Sequence, residues 1–172
     1  MDFGLSTILA IVFSITLVSC GYHVNAPAPS IAKIHTLAVP TLKNSTAVFQ
    51  VEQRLTRALI EEFSRRSSSR VVSTETGADA VMRGEITYIS ASPVIIGTTS
   101  FGTTFLVTLN AKVSLVDLNT KKMLFRNDNY VFREEYVINR DVKQFFSELN
   151  PALDRMARDF ARSVAASVMA GN

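Results

Sequence analysis

Thr104-Phe105-Leu106-Val107-Thr108-Leu109-Asn110-Ala111-Lys112-Val113-Ser114-Leu115-Val116-Asp117 is the stretch that decides the fold. Phe105, Val107, Leu109, Ala111, Val113 and Leu115 fall at every second position, with Thr108, Asn110, Lys112 and Ser114 between them. Successive side chains of a strand point to opposite sides, so this order makes one apolar row and one polar row. The apolar row goes to a core; the polar row is left for water or a partner. Asp117-Leu118-Asn119-Thr120 is turn chemistry, and Lys121 to Tyr136 returns as a less regular strand in which Asn127-Asp128-Asn129 predicts a bulge.

Upstream, the period is again two. Val71 and Val72 begin a strand, and a longer one runs from Ala78 to about Ala91, with Met82, Ile86 and Tyr88 sharing one face and Val81, Arg83, Glu85, Thr87 and Ile89 the other. Ile34 to Val39 alternates and stops at Pro40, where the next backbone donor is lost. Between these strands Val51, Leu55, Leu59 and Phe63 recur every four residues with Glu52, Arg54, Arg57, Glu61 and Arg65 outside, after Asn44-Ser45-Thr46 as N-cap chemistry. Asn150-Pro151 opens a second helix whose apolar stripe is Leu153, Met156, Ala157, Phe160, Val164 and Val168. The order β-α-β-β-β-α predicts an α+β two-layer sandwich: roughly four strands in a mixed sheet, with both helices packed on one face. Ser92 to Thr103 carries no charge yet holds Val94, Ile95, Ile96 and Phe101, which suits a partner or lipid contact better than a solvated hairpin tip.

The N-terminus reads as processing rather than fold. An uncharged run from Leu5 to Leu17 is shorter than the roughly 20 residues of a spanning helix, and it ends at Leu17-Val18-Ser19-Cys20-Gly21. Small residues followed by the chain's only cysteine form a bacterial lipoprotein signal, in which the Cys20 thiol takes up a diacylglycerol group and several acyl chains hold the protein to a membrane. The expected division is residues 1–19 as a cleaved signal, residues 20–31 as the lipidated cysteine with a Pro/Ala-rich tether, and residues 32–172 as one domain. Gly21 stands where enteric-type lipoproteins retained at the inner membrane carry Asp, so similarity to that system implies the outer membrane.

Of 172 residues, 18 are basic and 15 acidic, with twelve arginines against six lysines. Guanidinium pairs bidentately with phosphate and carboxylate, so such a surface suits anionic partners. Catalytic chemistry finds little to work with. The histidines are His23, in the tether, and His35, in the first strand, so an anchored hydrolase would depend on His35 alone. There is no cysteine pair or His-x-x-x-His for a metal. Glu61-Glu62 and Glu134-Glu135 are neighbours that point apart and read as solvated charges, and Gly97 and Gly102 open no helix onto a phosphate. Basic residues are not interleaved with stacking aromatics, which argues against nucleic acid. A binding or assembly protein remains, with a free-standing carrier of a lipid or glycolipid as the alternative to a partnered one.

Four strings in order carry a family resemblance: Cys20-Gly21-Tyr22-His23; Leu37-Ala38-Val39-Pro40-Thr41-Leu42-Lys43-Asn44-Ser45-Thr46; Glu52 to Phe63; and Ala78-Asp79-Ala80-Val81-Met82-Arg83-Gly84-Glu85-Ile86. Together they resemble the lipopolysaccharide-assembly lipoprotein family, LptE. The resemblance implies a non-enzymatic plug inside the outer-membrane barrel LptD, the pair placing lipopolysaccharide in the outer leaflet. It implies no cofactor beyond the covalent lipid on Cys20, and a position facing the periplasm and the barrel lumen. It also implies that the hairpin with Val94, Ile95, Ile96 and Phe101 reaches into the barrel. Lipopolysaccharide-binding basic residues are implied in that connection and near the end of the last strand. The connection here has none; Arg140 is the nearest counterpart of the second, with Arg126 and Arg133 as strand neighbours.

Overall fold

The computed structural model describes residues 33–95, 103–138 and 151–170. Cys20, Ile96, Phe101 and Arg140, with the signal and tether, lie outside the described residues, as do the side chain of Ile95 and the N-cap position Asn150. The elements in chain order are β1 (Thr36–Ala38), β2 (Lys43–Asn44), α1 (Val51–Arg66), β3 (Arg70–Val72), β4 (Ala80–Ile95), β5 (Thr103–Asp117), β6 (Met123–Ile138) and α2 (Pro151–Ala170). The class is the expected α+β, but the sheet has six strands rather than four. β2 is only two residues long, too short for alternation to register, and the strand begun at Val71 and Val72 is the short β3, which the count of four left out.

The sheet order is β3-β1-β4-β5-β6. β4, β5 and β6 are long antiparallel neighbours. β1 lies parallel to both β3 and β4, and β2 pairs with β4 farther along. β1 is buried on both sides, as a parallel strand inside a sheet is: Leu37, like Val39 just past the strand, enters the main core, while Ala38 joins Ala78 and Val81 in a smaller cluster on the opposite face.

The main core lies between the sheet and the two helices. Phe105 to Leu115 bury every second side chain, as their alternation requires, against Leu55, Leu59 and Phe63 of α1 and the whole apolar stripe of α2. Phe160 stands at its centre, meeting Tyr130 and Phe132 edge to face with ring centroids 6.0 Å apart in each case. Gly84 is needed where the chain before β2 crosses β4, because a Cβ there would sit 2.6 Å from Leu42 Cδ2.

Three local expectations are corrected. Ile86 pairs with Ala111 and Tyr88 with Asn110, so Thr87 is an inserted residue, and beyond this bulge the faces of β4 exchange. Tyr88 therefore leaves the face of Met82 and Ile86 and is half exposed, while Ile89 turns to the core. Asn44 does not cap α1: the cap position is Gln50, at φ 57 with no side-chain cap bond. Glu62 is not solvated but 4 % exposed, held by Arg65 at 2.5 Å and by Arg66. The bulge expected at Asn127-Asp128-Asn129 is present, the pairing of β5 with β6 stepping from Val113 with Asn127 to Ala111 with Tyr130.

Candidate functional site on the open sheet face

Both described helices pack on one side of β4, β5 and β6, and among the described residues no helix covers their other side. Register decides what stands together on it. Arg83, Ser114 and Arg126 form one row across three strands, and Glu85 and Lys112 form the next. Lys43 of β2 closes the margin, and Asp128 projects from the β6 bulge. These residues line an open concavity of about 430 Å³.

Charge here is arranged in pairs. Glu85 receives hydrogen bonds from Ser45 Oγ at 2.7 Å and Lys43 Nζ at 2.9 Å, with Lys112 Nζ at 3.7 Å. The Ser45 hydroxyl and then the Lys43 ammonium hold its carboxyl down at about 2. Arg83 grips Glu75 through Nε at 2.9 Å and Nη2 at 2.6 Å. Arg126 directs Nε at both oxygens of Asp128, 3.0 and 2.8 Å away.

Beyond Thr87 the same face changes character. Its rows are Tyr88, Asn110 and Val131; then Ser90, Thr108 and Arg133; then Ser92, Leu106 and Glu135. The β4 and β5 members of these rows carry no charge, and Tyr88, Val94, Val131 and Val137 are 42–57 % exposed. Asn110 Oδ1 is buried among them without a hydrogen-bond partner.

The sequence-predicted residues are thus only partly brought together. Arg126 and Arg133 share the open face, but their partners Ser114 and Thr108 are six residues apart on β5, roughly 20 Å at strand rise. Val94 sits at the bulge between Pro93 and Ile95, and Ile95 pairs with Thr104. Arg83, Lys112, Ser114 and Lys43 escaped the sequence reading as a group, since alternation places a residue on a face but does not align one strand with another. Glu134 and Glu135 point to opposite sides: Glu134 lines a cleft with Asp159 and Arg162 beside α2, and Glu135 joins the open face. In that cleft Tyr136 donates to Asp159 at 3.0 Å, and burial pushes its phenol well above the ordinary range. His35 is exposed, and its backbone amide donates to Asp79. Among the described residues no group of His, Cys, Asp and Glu is placed to hold a metal, and no helix is long and apolar enough to cross a membrane.

The family model for lipopolysaccharide assembly, LptE, matches residues 34–168. The chain belongs to the LptE family. No curated protein sequence matches it. Solved structures similar to it include a Xanthomonas campestris protein (TM-score 0.57, 8% identity, covering 85% of this chain and 91% of that one). The PelC dodecamer subunit of Paraburkholderia phytofirmans is another (TM-score 0.51, 12% identity, 80% and 87%). A hypothetical protein of Chlamydia trachomatis is a third (TM-score 0.50, 8% identity, 78% and 98%). At such identities the likeness is one of fold.

In this LptE-family domain, the strings that carry the resemblance act as fasteners. The Asp79 carboxylate accepts from the backbone amides of Thr36 at 2.9 Å and His35 at 3.0 Å, which lowers its pKa and ties β1 to the start of β4. Asn44 Oδ1 accepts from Thr46 N at 2.9 Å and Thr46 Oγ1 at 2.8 Å, while its Nδ2 donates to Val48 O and Glu52 Oε2. Thr56 Oγ1 accepts from Leu42 N at 3.0 Å and donates to Glu52 O at 2.6 Å. Each joins segments distant in sequence or closes a loop, so the motif marks a way of folding before it marks a ligand.

Proposed function

We propose that this LptE-family protein is a non-catalytic lipoprotein, anchored through Cys20 to the outer membrane, that plugs and supports an LptD-type β-barrel while lipopolysaccharide is placed in the outer leaflet. The observation that carries this reading is the family match over residues 34–168. The open sheet face supports it, since three long strands keep one side free of the described helices. In this reading Val94, Ile95, Ile96 and Phe101 contact the barrel, and Arg126, Arg133 and Arg140 contact lipopolysaccharide phosphates. The protein faces the periplasm and the barrel lumen.

The test is to tag the C-terminus, extract membranes in mild detergent and identify what co-purifies. A one-to-one complex with a large β-barrel is expected, weakened by the double substitution Ile95→Asp, Ile96→Asp. Recovery alone, with an extractable lipid, would replace the plug by a free-standing carrier. Cys20→Ala should shift the protein from the membrane fraction to the soluble periplasmic fraction.

A further inference from the structure

We infer that the outer edge of β6, from Tyr130 to Ile138, is a self-recognition surface that pairs antiparallel with the same edge of a second copy of this chain, about a two-fold axis at Glu134. The inference goes beyond the barrel partnership and does not rest on it, because it concerns two copies of the protein free of any other chain.

β6 is the last strand of the sheet and is bonded to β5; among the described residues nothing pairs with its other side. A free strand edge presents a row of backbone donors and acceptors, which proteins blunt with bulges, proline, charge or shortness. The opposite edge of the sheet, β3, is three residues long. On β6, the half near Asp128 carries the bulge. The other half has neither bulge nor proline: Ile138 to Tyr130 run against Thr103 to Ala111 in nine unbroken pairs. Its remaining defence is the charge of Arg133, Glu134 and Glu135.

That charge matches itself. A two-fold axis normal to the sheet keeps the open faces of both copies on one side and sets residues opposite one another in reciprocal pairs. With the axis at Glu134, Arg133 stands opposite Glu135 of the second copy and Glu135 opposite its Arg133, an attraction made twice. Val131 and Val137, 42 % and 57 % exposed in the single chain, likewise stand opposite one another. On the helix side, the core residues Phe132 and Tyr136 become cross-strand neighbours. Moving the axis one residue either way sets Arg133 or Glu135 against its own copy and breaks the valine match. Among the described residues neither Arg133 nor Glu135 has an ion-pair partner within the chain. The like-charge pair that results, Glu134 with its copy, lies on the axis, where each Glu134 shares a cleft with its own Arg162. Because every match is with this same sequence, the edge fits a second copy. A copy so paired has Arg133 engaged, so self-pairing and a phosphate contact at Arg133 exclude one another.

The test uses the full chain, purified in mild detergent and separated by size from any barrel. Sedimentation should show a concentration-dependent dimer, weakened about tenfold or more by Arg133→Glu and restored by the charge swap Arg133→Glu, Glu135→Arg. Arg57→Glu, an equal change of charge on the exposed side of α1, should leave the dimer intact. The register is read by mixing the variants Val131→Cys and Val137→Cys under oxidation. Opposed residues have Cα atoms about 4.5–5.5 Å apart, within reach of a disulfide, whereas the same position in the two copies is displaced by six residues, roughly 20 Å. A cross-linked dimer is expected in the mixture, and none from either variant alone or from the unsubstituted chain with its Cys20. A monomer at every concentration would overturn the inference and hand the edge to a strand of another protein. So would a dimer indifferent to Arg133→Glu, a swap that recovers nothing while its circular dichroism spectrum is unchanged, or cross-linking of Val131→Cys to itself. Barrel co-purification is read on a different fraction, so the two readings fail separately.

Discussion

On the helix side of β5, every second residue from Phe105 to Leu115 is buried against one continuous core; on the other side, the residues between them are grouped by charge. The open side is itself divided at Thr87, into a proximal half with Lys43, Arg83, Glu85, Lys112, Arg126 and Asp128, and a distal half in which β4 and β5 contribute no charge. The difference teaches that alternation does two jobs. It closes one face so completely that stability is concentrated there, and it frees the other to vary along its length without cost to the fold.

The comparison is broken most directly at Phe160. Phe160→Ala removes the ring that meets both Tyr130 and Phe132, and should cost about 3–5 kcal/mol in urea unfolding. Thr108→Ala on the open face should stay within about 0.5 kcal/mol, and similar losses at both sites would end the two-face account. Next in size is Gly84→Ala, whose Cβ would meet Leu42 Cδ2 at 2.6 Å; overpacking of this kind costs about 1–3 kcal/mol, and Leu42→Ala in the same chain should recover part of it. Asn44→Ala deletes four loop hydrogen bonds and should lower stability by about 1–3 kcal/mol in chemical denaturation, with co-purification of a barrel unchanged at permissive temperature. The smallest effect belongs to Glu85. Its folded value of about 2 lies below the ordinary 4.5, so its contribution is complete above the ordinary value and fades as pH falls toward 2. Glu85→Gln should flatten the acid limb of the melting temperature in that window and leave the neutral-pH core signature intact.

Much of this architecture was legible in the residues, and the rest was hidden for identifiable reasons. β5 and the stripe of α2 are long and strictly periodic, so their buried positions are those the spacing names. Tyr88 was misplaced because a single inserted residue, Thr87, reverses every later side chain without leaving a mark in composition. Asn44 looked like a cap because its chemistry is that of a cap; it closes a loop ahead of α1 through Thr46, Val48 and Glu52 instead. Glu62 looked solvated because its partners Arg65 and Arg66 lie on the next turn, where pairing depends on how deeply the helix sits. Arg126 was visible as a basic strand residue, but its companion Arg83 lies on β4, and only the register through Ser114 makes them a pair.

The placement of β1 has a mechanical consequence. The strand is hydrogen-bonded in parallel to β3 on one side and β4 on the other, and Asp79 binds the amides at its entrance. A load arriving from the N-terminal side pulls β1 along its own axis, between neighbours held from their far ends. Its bonds are then strained together in shear rather than peeled one at a time, so the domain meets a tug from that direction at the seam where it is doubly stitched.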